Sequence, residues 1–353
     1  MTAAVLAGVP VRHGVPLADR TTLRVGGPAR DLVEVTSTEE LVEVVRALDA
    51  AGEPVLVLGG GSNLLVGDAG FDGTVVAVAT TGVAQDVASC SGAVVTVAAG
   101  EPWDPFVALT VDRGWSGMEA LSGIPGSTGA TPVQNVGAYG QEVAALITSV
   151  RVYDRAAGAE RVFLPAELGF AYRDSRLKSQ PGAYVVLSVT FLLRASEQSS
   201  PVSYAELAKA LGVELGETAP LAAVRDAVLG LRRGKGMVWD PADPDSRSAG
   251  SFFTNPVVPV GTAVPECPSW PAGIGVDGAA QVKLSAAWLV QHSGYGRGTR
   301  AGKVGTSSRH SLALTTEPGA TATELMAFAE QVVADVRARF GVTLVPEPTA
   351  VRP

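Results

Sequence analysis

The stretch 121–140, LSGIPGSTGATPVQNVGAYG, constrains this chain more than any other. It carries Gly123, Gly126, Gly129, Gly137 and Gly140, with Pro125 and Pro132 between them, and no charged side chain. Gly and Pro are the two poorest helix residues, so the segment cannot form a long helix. It is also too apolar to behave as a solvated linker. Glycines let a backbone approach another group closely, and Ser127, Thr128, Thr131, Gln134 and Asn135 add hydroxyl and amide groups. Two readings follow: a tightly packed turn region inside a large core, or a cradle for a flat, phosphate-bearing cofactor. Spacing alone leaves both open.

At 353 residues the chain exceeds what one core usually organises, so two or three domains are expected. A net charge of −8 excludes a general nucleic-acid binder, since duplex binding is driven largely by Lys and Arg on phosphates. An anionic substrate would need a local basic cluster. Cys90 and Cys267 make neither a disulfide framework nor a metal set, and read as two buried small hydrophobes. No metal is expected. The opening MTAAVLAGVPVRHG has no basic stretch ahead of its apolar run, and no segment approaches 18 apolar residues. The reading is of a soluble cytoplasmic protein with no membrane partner.

Along the chain, Ser37 with Glu40 forms a capping box, and Leu41, Val44, Val45 and Leu48 keep helical spacing up to Gly52. A buried strand over 55–58 then runs into Gly59-Gly60-Gly61-Ser62-Asn63. The dinucleotide fingerprint fails here, because its third glycine would fall at Leu64 and should open a helix. The pattern after Leu64 is instead strand and turn, although the glycines can still offer N–H groups to a pyrophosphate. Further strands are expected over 32–35, 74–79, 93–98, 150–153, 161–164, 184–193, 310–314 and 342–345. Helices are expected over 103–113, from a Ser203/Glu206 capping box to Leu211, over 221–231, over 283–291 and from a Thr321/Glu324 capping box to Phe340. Residues 236–250 and 259–275 read as long loops, the first a natural boundary, and 294–305 as a basic glycine loop. Arg232, Arg233 and Lys235 close a helix, where cations suit the dipole; a phosphate site is the alternative.

Seven pieces in order resemble the UDP-N-acetylenolpyruvoylglucosamine reductases: TTLRVGGPA (21–29), LGGGSNLLV (58–66), ALSGIPGSTGATPVQNVGAYG (120–140), FAYRDS (170–175), GSFFTNPVV (250–258), VKLSAAWLV (282–290) and LVPEP (344–348). The resemblance spans nearly the whole chain and points to the branch of the family with a tyrosine loop. It implies an α+β protein with an FAD-binding fold of the vanillyl-alcohol-oxidase type. Residues 1–235 would form two α/β cofactor subdomains split near 75. Residues 236–341 would form a smaller α+β substrate-binding domain, and 342–353 a final strand and tail.

The implied activity is reduction of UDP-N-acetylglucosamine enolpyruvate by NADPH through FAD, acting as a monomer on a small-molecule substrate. Carried onto this sequence, FAD would be held by Gly59, Gly60, Gly61, Ser62, Asn63, Leu64, Gly123, Ile124, Pro125, Gly126, Gly129, Ala130, Asn135, Gly137 and Ala138. Tyr172, Tyr204, Lys235 and Asn255 would contact the diphosphate and sugar, leaving Arg232 and Arg233 as helix caps. Arg173, Ser251 and Glu347 would be catalytic. Tyr139 and His310 fit either a place near substrate or nicotinamide or plain packing.

The chemistry suits these residues. Hydride addition to an enol ether beside a carboxylate pushes negative charge into that carboxylate, where a rigid guanidinium such as Arg173 stabilises the transition state. Ser251 is a weak acid, but the carbanion-like species it would protonate is a strong base a short distance away. Glu347 is expected to be buried and neutral, so that it donates a hydrogen bond or proton. Two rival readings are an FAD-dependent alcohol or sugar oxidase and a nucleotide-sugar-binding protein without turnover. The absence of His and Cys from 58–66 and 120–140 disfavours a tethered-flavin oxidase, and a binder alone would not need the serine.

Overall fold

A computed structural model describes residues 4–88, 92–262, 264–275 and 278–351. Cys90 lies outside them; Cys267 is buried, as expected. The chain divides into two compact units, one of 1–15, 28–61 and 71–233, the other of 16–27, 62–70 and 234–353. The long loop from 236 thus begins just past a unit boundary. Residues 16–27 and 62–70, read from sequence as part of the cofactor region, instead pack with the C-terminal unit.

The first unit holds two large sheets and a two-stranded pairing of Gly137–Ala138 with Gln141–Glu142. One runs in the order Val5–Leu6, Val9–Pro16, Pro28–Val35, Phe71–Val78, Val55–Leu58. Its last three strands are mutually parallel, so Pro28–Val35 must reach Val55–Leu58 by a crossover, which helix Thr38–Ala50 provides. The Ser37/Glu40 capping box forms, and Leu41, Val42, Val44, Val45 and Leu48 are buried. The other sheet is antiparallel, in the order Ala159–Phe163, Ile147–Asp154, Tyr184–Ala195, Gly92–Ala98, Val83–Ala88. Along Tyr184–Leu193 every second residue is fully buried, as a strand with one covered face requires. Helix Trp103–Asp112 packs Trp103 and Phe106 on Phe191, with ring centroids 6.1 and 5.7 Å away. Two more helices, Ala205–Leu211 and Leu221–Gly234, enclose a small core of Leu207, Ala208, Val224 and Val228 that reaches Ala120 beside the glycine stretch.

The second unit is built around helix Ala322–Phe340, which buries Leu325, Phe328, Val332 and Val336. Its Thr321/Glu324 capping box forms and Gly341 closes it in the left-handed region. Strand Leu64–Val66 runs parallel to Thr349–Val351. A three-stranded sheet has Ala280–Leu284 between Val257–Pro259 and Ser269–Ile274.

Several expectations fail. Ser203 does not cap its helix: the N-cap is Tyr204, with no side-chain bond, because the Ser203 hydroxyl is turned against Gly140, 2.1 Å from where a Cβ would stand. Residues 283–291 are not one helix. The alternating Gln281–Leu284 completes a strand, and Ser285 caps a helix only from Ala286 to His292. The strand expected over 310–314 begins at Leu314, since Ala313 N–H donates to His310 in a turn. The expected loop 259–275 includes the strand Ser269–Ile274, which tolerates Pro271 because it is an edge, and 294–305 includes a hairpin. Within 342–345 the backbone bond to 252–254 is that of Thr254 N–H to the Val345 carbonyl; the terminal strand is Thr349–Val351. Among the described residues no helix is long and apolar enough to cross a membrane.

Asp68 gives helix Ala322–Phe340 a second cap, accepting the Ala322 and Thr323 N–H groups at 2.7 and 2.9 Å and the Thr323 hydroxyl at 2.6 Å. Burial alone would raise its pKa, but the Thr323 and Ala322 hydrogen bonds prevail and lower it. Its stabilising contribution is therefore present above the unfolded aspartate value of about 3.9 and lost as pH falls through the lower folded value. Asp68→Ala is expected to cost about 1 kcal/mol at pH 7 by urea midpoint, with the gap to wild type closing in acid.

Candidate active site

Two glycine runs meet in the first unit. A Cβ on Gly60 would stand 2.6 Å from the Gly126 Cα, and one on Gly59 2.4 Å from the Ser127 Oγ. The Gly60 and Gly126 backbones therefore touch, which only glycine permits, while Gly59 lies against the Ser127 hydroxyl. Gly59 and Gly60 are nonetheless exposed on their other side. Deeper in, Gly129 packs on Ala99, where its N–H donates to the Ala99 carbonyl at 2.8 Å. The hydroxyls of this region are turned inward: Thr128 donates to the Glu101 carbonyl (3.0 Å), Thr131 to that of Thr128 (2.8 Å) and Ser122 to that of Glu119 (2.7 Å). What the glycine runs can present to a ligand is chiefly main chain. Ile124 and Ala138 pack against the core, Pro125 is half-buried and Ala130 is exposed.

Arg173 stands at the tip of a tight turn closed by reciprocal bonds between Ala171 and Asp174, at 3.0 and 3.2 Å. Its φ of +55° is in the left-handed region. The surroundings hold it there. Arg173 Nη2 donates to the Gly137 carbonyl at 2.9 Å, and Lys178 Nζ donates to the Arg173 carbonyl at 2.7 Å. Asn135, expected among the cofactor contacts, spends its side chain on bracing this turn. Its Nδ2 donates to Glu142 Oε2 (2.8 Å) and to the Ala171 carbonyl (3.1 Å), while Oδ1 accepts from Ala144 N–H (3.1 Å). Tyr172 is exposed beside the Arg173 guanidinium, 5.7 Å from ring centroid to Cζ.

Tyr204 is exposed and meets Tyr139 edge to face, centroids 5.4 Å apart. Tyr139 is half-buried, and that burial pushes its phenol up to about 12, so it stays protonated at neutral pH. Arg232, read from sequence as a helix cap, is buried instead. Burial pulls it down to about 10 against the attraction of the Asp104 carboxylate, and the Arg173 cation pushes the same way as burial. It remains a cation, in a group with Tyr139 and within the field of Arg173. Its signal was in the sequence: Leu221, Val224 and Val228 mark the buried stripe of the helix, and four more residues lead to Arg232.

In the second unit Ser251 and Glu347 come together. Phe252 and Phe253, both about 1% exposed, lock the 251–253 segment into the core. Phe252 N–H donates to the Leu312 carbonyl and Glu347 N–H to the Phe252 carbonyl, each at 2.8 Å, and Phe253 bridges Pro346. Ser251 thus adjoins the residue whose carbonyl holds Glu347. Asn63, also expected on the cofactor, donates from Nδ2 to the Glu347 carbonyl at 3.3 Å, and its own carbonyl accepts from Thr349. Leu64 pairs with Thr349, and the Ser62 carbonyl accepts from Thr22 Oγ1 at 3.3 Å. Asn255 Oδ1 accepts from Ala286 N–H at 2.9 Å, at the head of the helix that Ser285 caps. Lys235 follows helix Leu221–Gly234 directly and is half-buried. Glu347 is half-buried by the chain, less enclosed than expected. Arg173 belongs to the first unit; Ser251, Glu347 and Lys235 belong to the second.

Residues 29–162 match a family profile described as FAD binding domain, and 241–351 one described as UDP-N-acetylenolpyruvoylglucosamine reductase, C-terminal domain. The chain is 53% identical over 337 residues to the UDP-N-acetylenolpyruvoylglucosamine reductase of Cutibacterium acnes, covering 95% of this chain and 88% of that one. It is 52% identical over 352 residues to the reductase of Thermobifida fusca, covering 96% and 97%. Among solved structures, UDP-N-acetylenolpyruvylglucosamine reductase from Thermus caldophilus superposes with a TM-score of 0.64 at 26% identity, covering 98% and 99%.

The bracing role of Asn135 is open to test. Asn135→Ala is expected to lower unfolding free energy by roughly 1–3 kcal/mol, because three part-buried hydrogen bonds are lost. It should also speed tryptic cleavage after Arg173, read by mass spectrometry; an unchanged cleavage rate would separate Asn135 from the turn.

Proposed function

Because the chain belongs to the UDP-N-acetylenolpyruvoylglucosamine reductases, we propose that Arg173, Ser251 and Glu347 carry out its reaction and that Tyr172, Tyr204, Lys235 and Asn255 grip its substrate. The activity is the NADPH-dependent reduction of UDP-N-acetylglucosamine enolpyruvate to UDP-N-acetylmuramate, a step of peptidoglycan precursor synthesis. Bound FAD supplies the hydride chemistry, relaying two electrons from NADPH to the enolpyruvyl double bond. The match over 241–351 leaves the oxidase alternative without support.

The glycine runs fit such a cofactor. Gly59 and Gly60 expose main chain that cannot be crowded by side chains, and 123–138 brings no carboxylate to repel a pyrophosphate. In the proposed division 1–235 serves FAD, in subdomains split near 75, 236–341 serves the nucleotide sugar, and 342–353 brings Glu347. A monomeric cytoplasmic enzyme meeting only small molecules completes the reading.

The observation that carries it is the backbone coupling of Ser251 to Glu347 through Phe252. A proton donor must be held within hydrogen-bond reach of the carbon it serves, and a serine on a locked segment meets that demand. Glu347, fixed to the same segment by its own N–H, steadies the acid or shares the proton. The chain half-buries Glu347, so substrate has to complete the desolvation that favours a neutral carboxyl. Arg173, fastened to the Gly137 carbonyl at the edge of the glycine run, presents a cation to the substrate carboxylate as charge develops there. Lys235 offers a point charge to the diphosphate.

Ser251→Ala is expected to lower turnover by about two to four powers of ten, while NADPH still bleaches the flavin at close to the wild-type rate in stopped flow. Full second-half turnover in that variant would remove Ser251 from the mechanism. Glu347→Gln with near-normal activity would do the same for proton donation by Glu347. Lys235→Ala should act mainly on the substrate KM, the mark of a group that binds ground and transition states alike.

A further inference from the structure

We propose that Asp104 is a positioning residue that locks the first glycines of the FAD loop to the helix supporting the substrate-side tyrosines. Asp104 lies in the first turn of helix Trp103–Asp112. Its Oδ1 accepts from Gly123 N–H at 2.6 Å and from Arg225 Nη1 at 2.7 Å, and its Oδ2 accepts from Arg225 Nη2 at 3.0 Å. The ion pair is well shielded, with 33% of the Asp104 side chain and 17% of the Arg225 side chain exposed. A bidentate guanidinium–carboxylate pair fixes orientation as well as distance.

Each end of this bridge leads to a functional element. On one side, the same helix start holds the loop at further points: Trp103 N–H donates to the Gly126 carbonyl at 3.0 Å, and Trp103 Nε1 to the Leu121 carbonyl at 3.1 Å. Residues 121, 123 and 126 are thus pinned to one rigid turn, and Gly123 is the one pinned by a side chain that also reaches elsewhere. On the other side, Arg225 belongs to Leu221–Gly234, the helix that carries Arg232. Its Val224 and Val228 pack with the helix that Tyr204 begins, and Tyr139 packs against the same core. Ionisation supports the bridge: burial would raise the Asp104 pKa, yet Arg225 and the Gly123 N–H lower it. An acid in a first helical turn is commonly there for the dipole alone. That role would not require a second helix and a glycine N–H to converge on it.

The inference rests on the FAD reading of the 123–138 region. Since cofactor sites tolerate little displacement, the variants should separate. Titration of the full-length apoprotein with FAD, followed by flavin fluorescence, should give Asp104→Ala a Kd at least about tenfold above wild type. UDP-N-acetylglucosamine enolpyruvate, titrated against the oxidised holoenzyme through its flavin spectrum, should also bind more weakly. Arg225→Met leaves Gly123 its acceptor, so its FAD Kd should stay within about twofold while substrate Kd rises. Asp104→Asn keeps the acceptor and loses the ion pair, so it should follow Arg225→Met; being nearly isosteric, it serves if the alanine variant fails to fold. Wild-type FAD affinity in Asp104→Ala, or equal FAD loss in Asp104→Asn and Arg225→Met, would overturn the proposal. Failure of the wild-type chain to bind FAD would instead overturn the cofactor reading.

Discussion

Contact between two stretches of naked backbone organises the first unit. Gly60 lies against the Gly126 backbone at a separation that admits no Cβ, with Gly59 against the Ser127 hydroxyl. Glycine loses the most conformational entropy on folding, so such a contact costs about 0.5–1 kcal/mol per residue relative to alanine. The surrounding structure offsets that cost with firm anchors. The Trp103 side chain is buried against Phe106 and Phe191, and its main chain and ring hold the loop at Gly126 and Leu121. The result is a rigid platform of peptide groups, and such a surface suits a phosphate better than flexible polar side chains would.

Charge is placed sparingly on this platform. The glycine stretch carries none, and the charged groups beside it are each held in a set place. Asp104 is paired with Arg225, Arg173 is fastened to the Gly137 carbonyl, and Arg232 is buried in the field of Tyr139 and Asp104. Burying a guanidinium is expensive unless its surroundings stabilise it, and two that feel one another add repulsion. In the second unit the corresponding device is mechanical. Two phenylalanines at full burial fix the segment that presents Ser251, and backbone bonds bring Glu347 beside it.

Much of this was legible beforehand. The capping boxes at Ser37/Glu40 and Thr321/Glu324 and the glycine stops at 52 and 341 mark two helices, because caps are local chemistry. The Gly59–Gly61 run was separable from a dinucleotide turn because the residues after it read as a strand. Structure departed from local signals where a long-range contact intervened. Ser203 and Glu206 have the spacing of a capping box, but the Ser203 hydroxyl is taken up against Gly140. The side-chain amides of Asn135 and Asn63 brace the Arg173 turn and the Glu347 backbone, which leaves any ligand contact there to main chain. Arg232 has the bland explanation of a cation at a helix end, but its place on the buried stripe of that helix marks it as enclosed.

The sequence by itself determined the chemistry available: an uncharged glycine platform, an arginine in a tight turn, a serine before two phenylalanines, a late glutamate. Those follow from residue type and neighbours a few positions away, where period, capping and turn preference act. The tertiary structure decided which side chains are spent on holding the chain and which remain for a ligand. It also decided that residues 62–70 pack with the C-terminal unit and that Thr349–Val351 closes on Leu64–Val66. Those choices depend on partners far along the chain, such as Asn63 with Glu347 and Asp104 with Arg225, which no local pattern encodes.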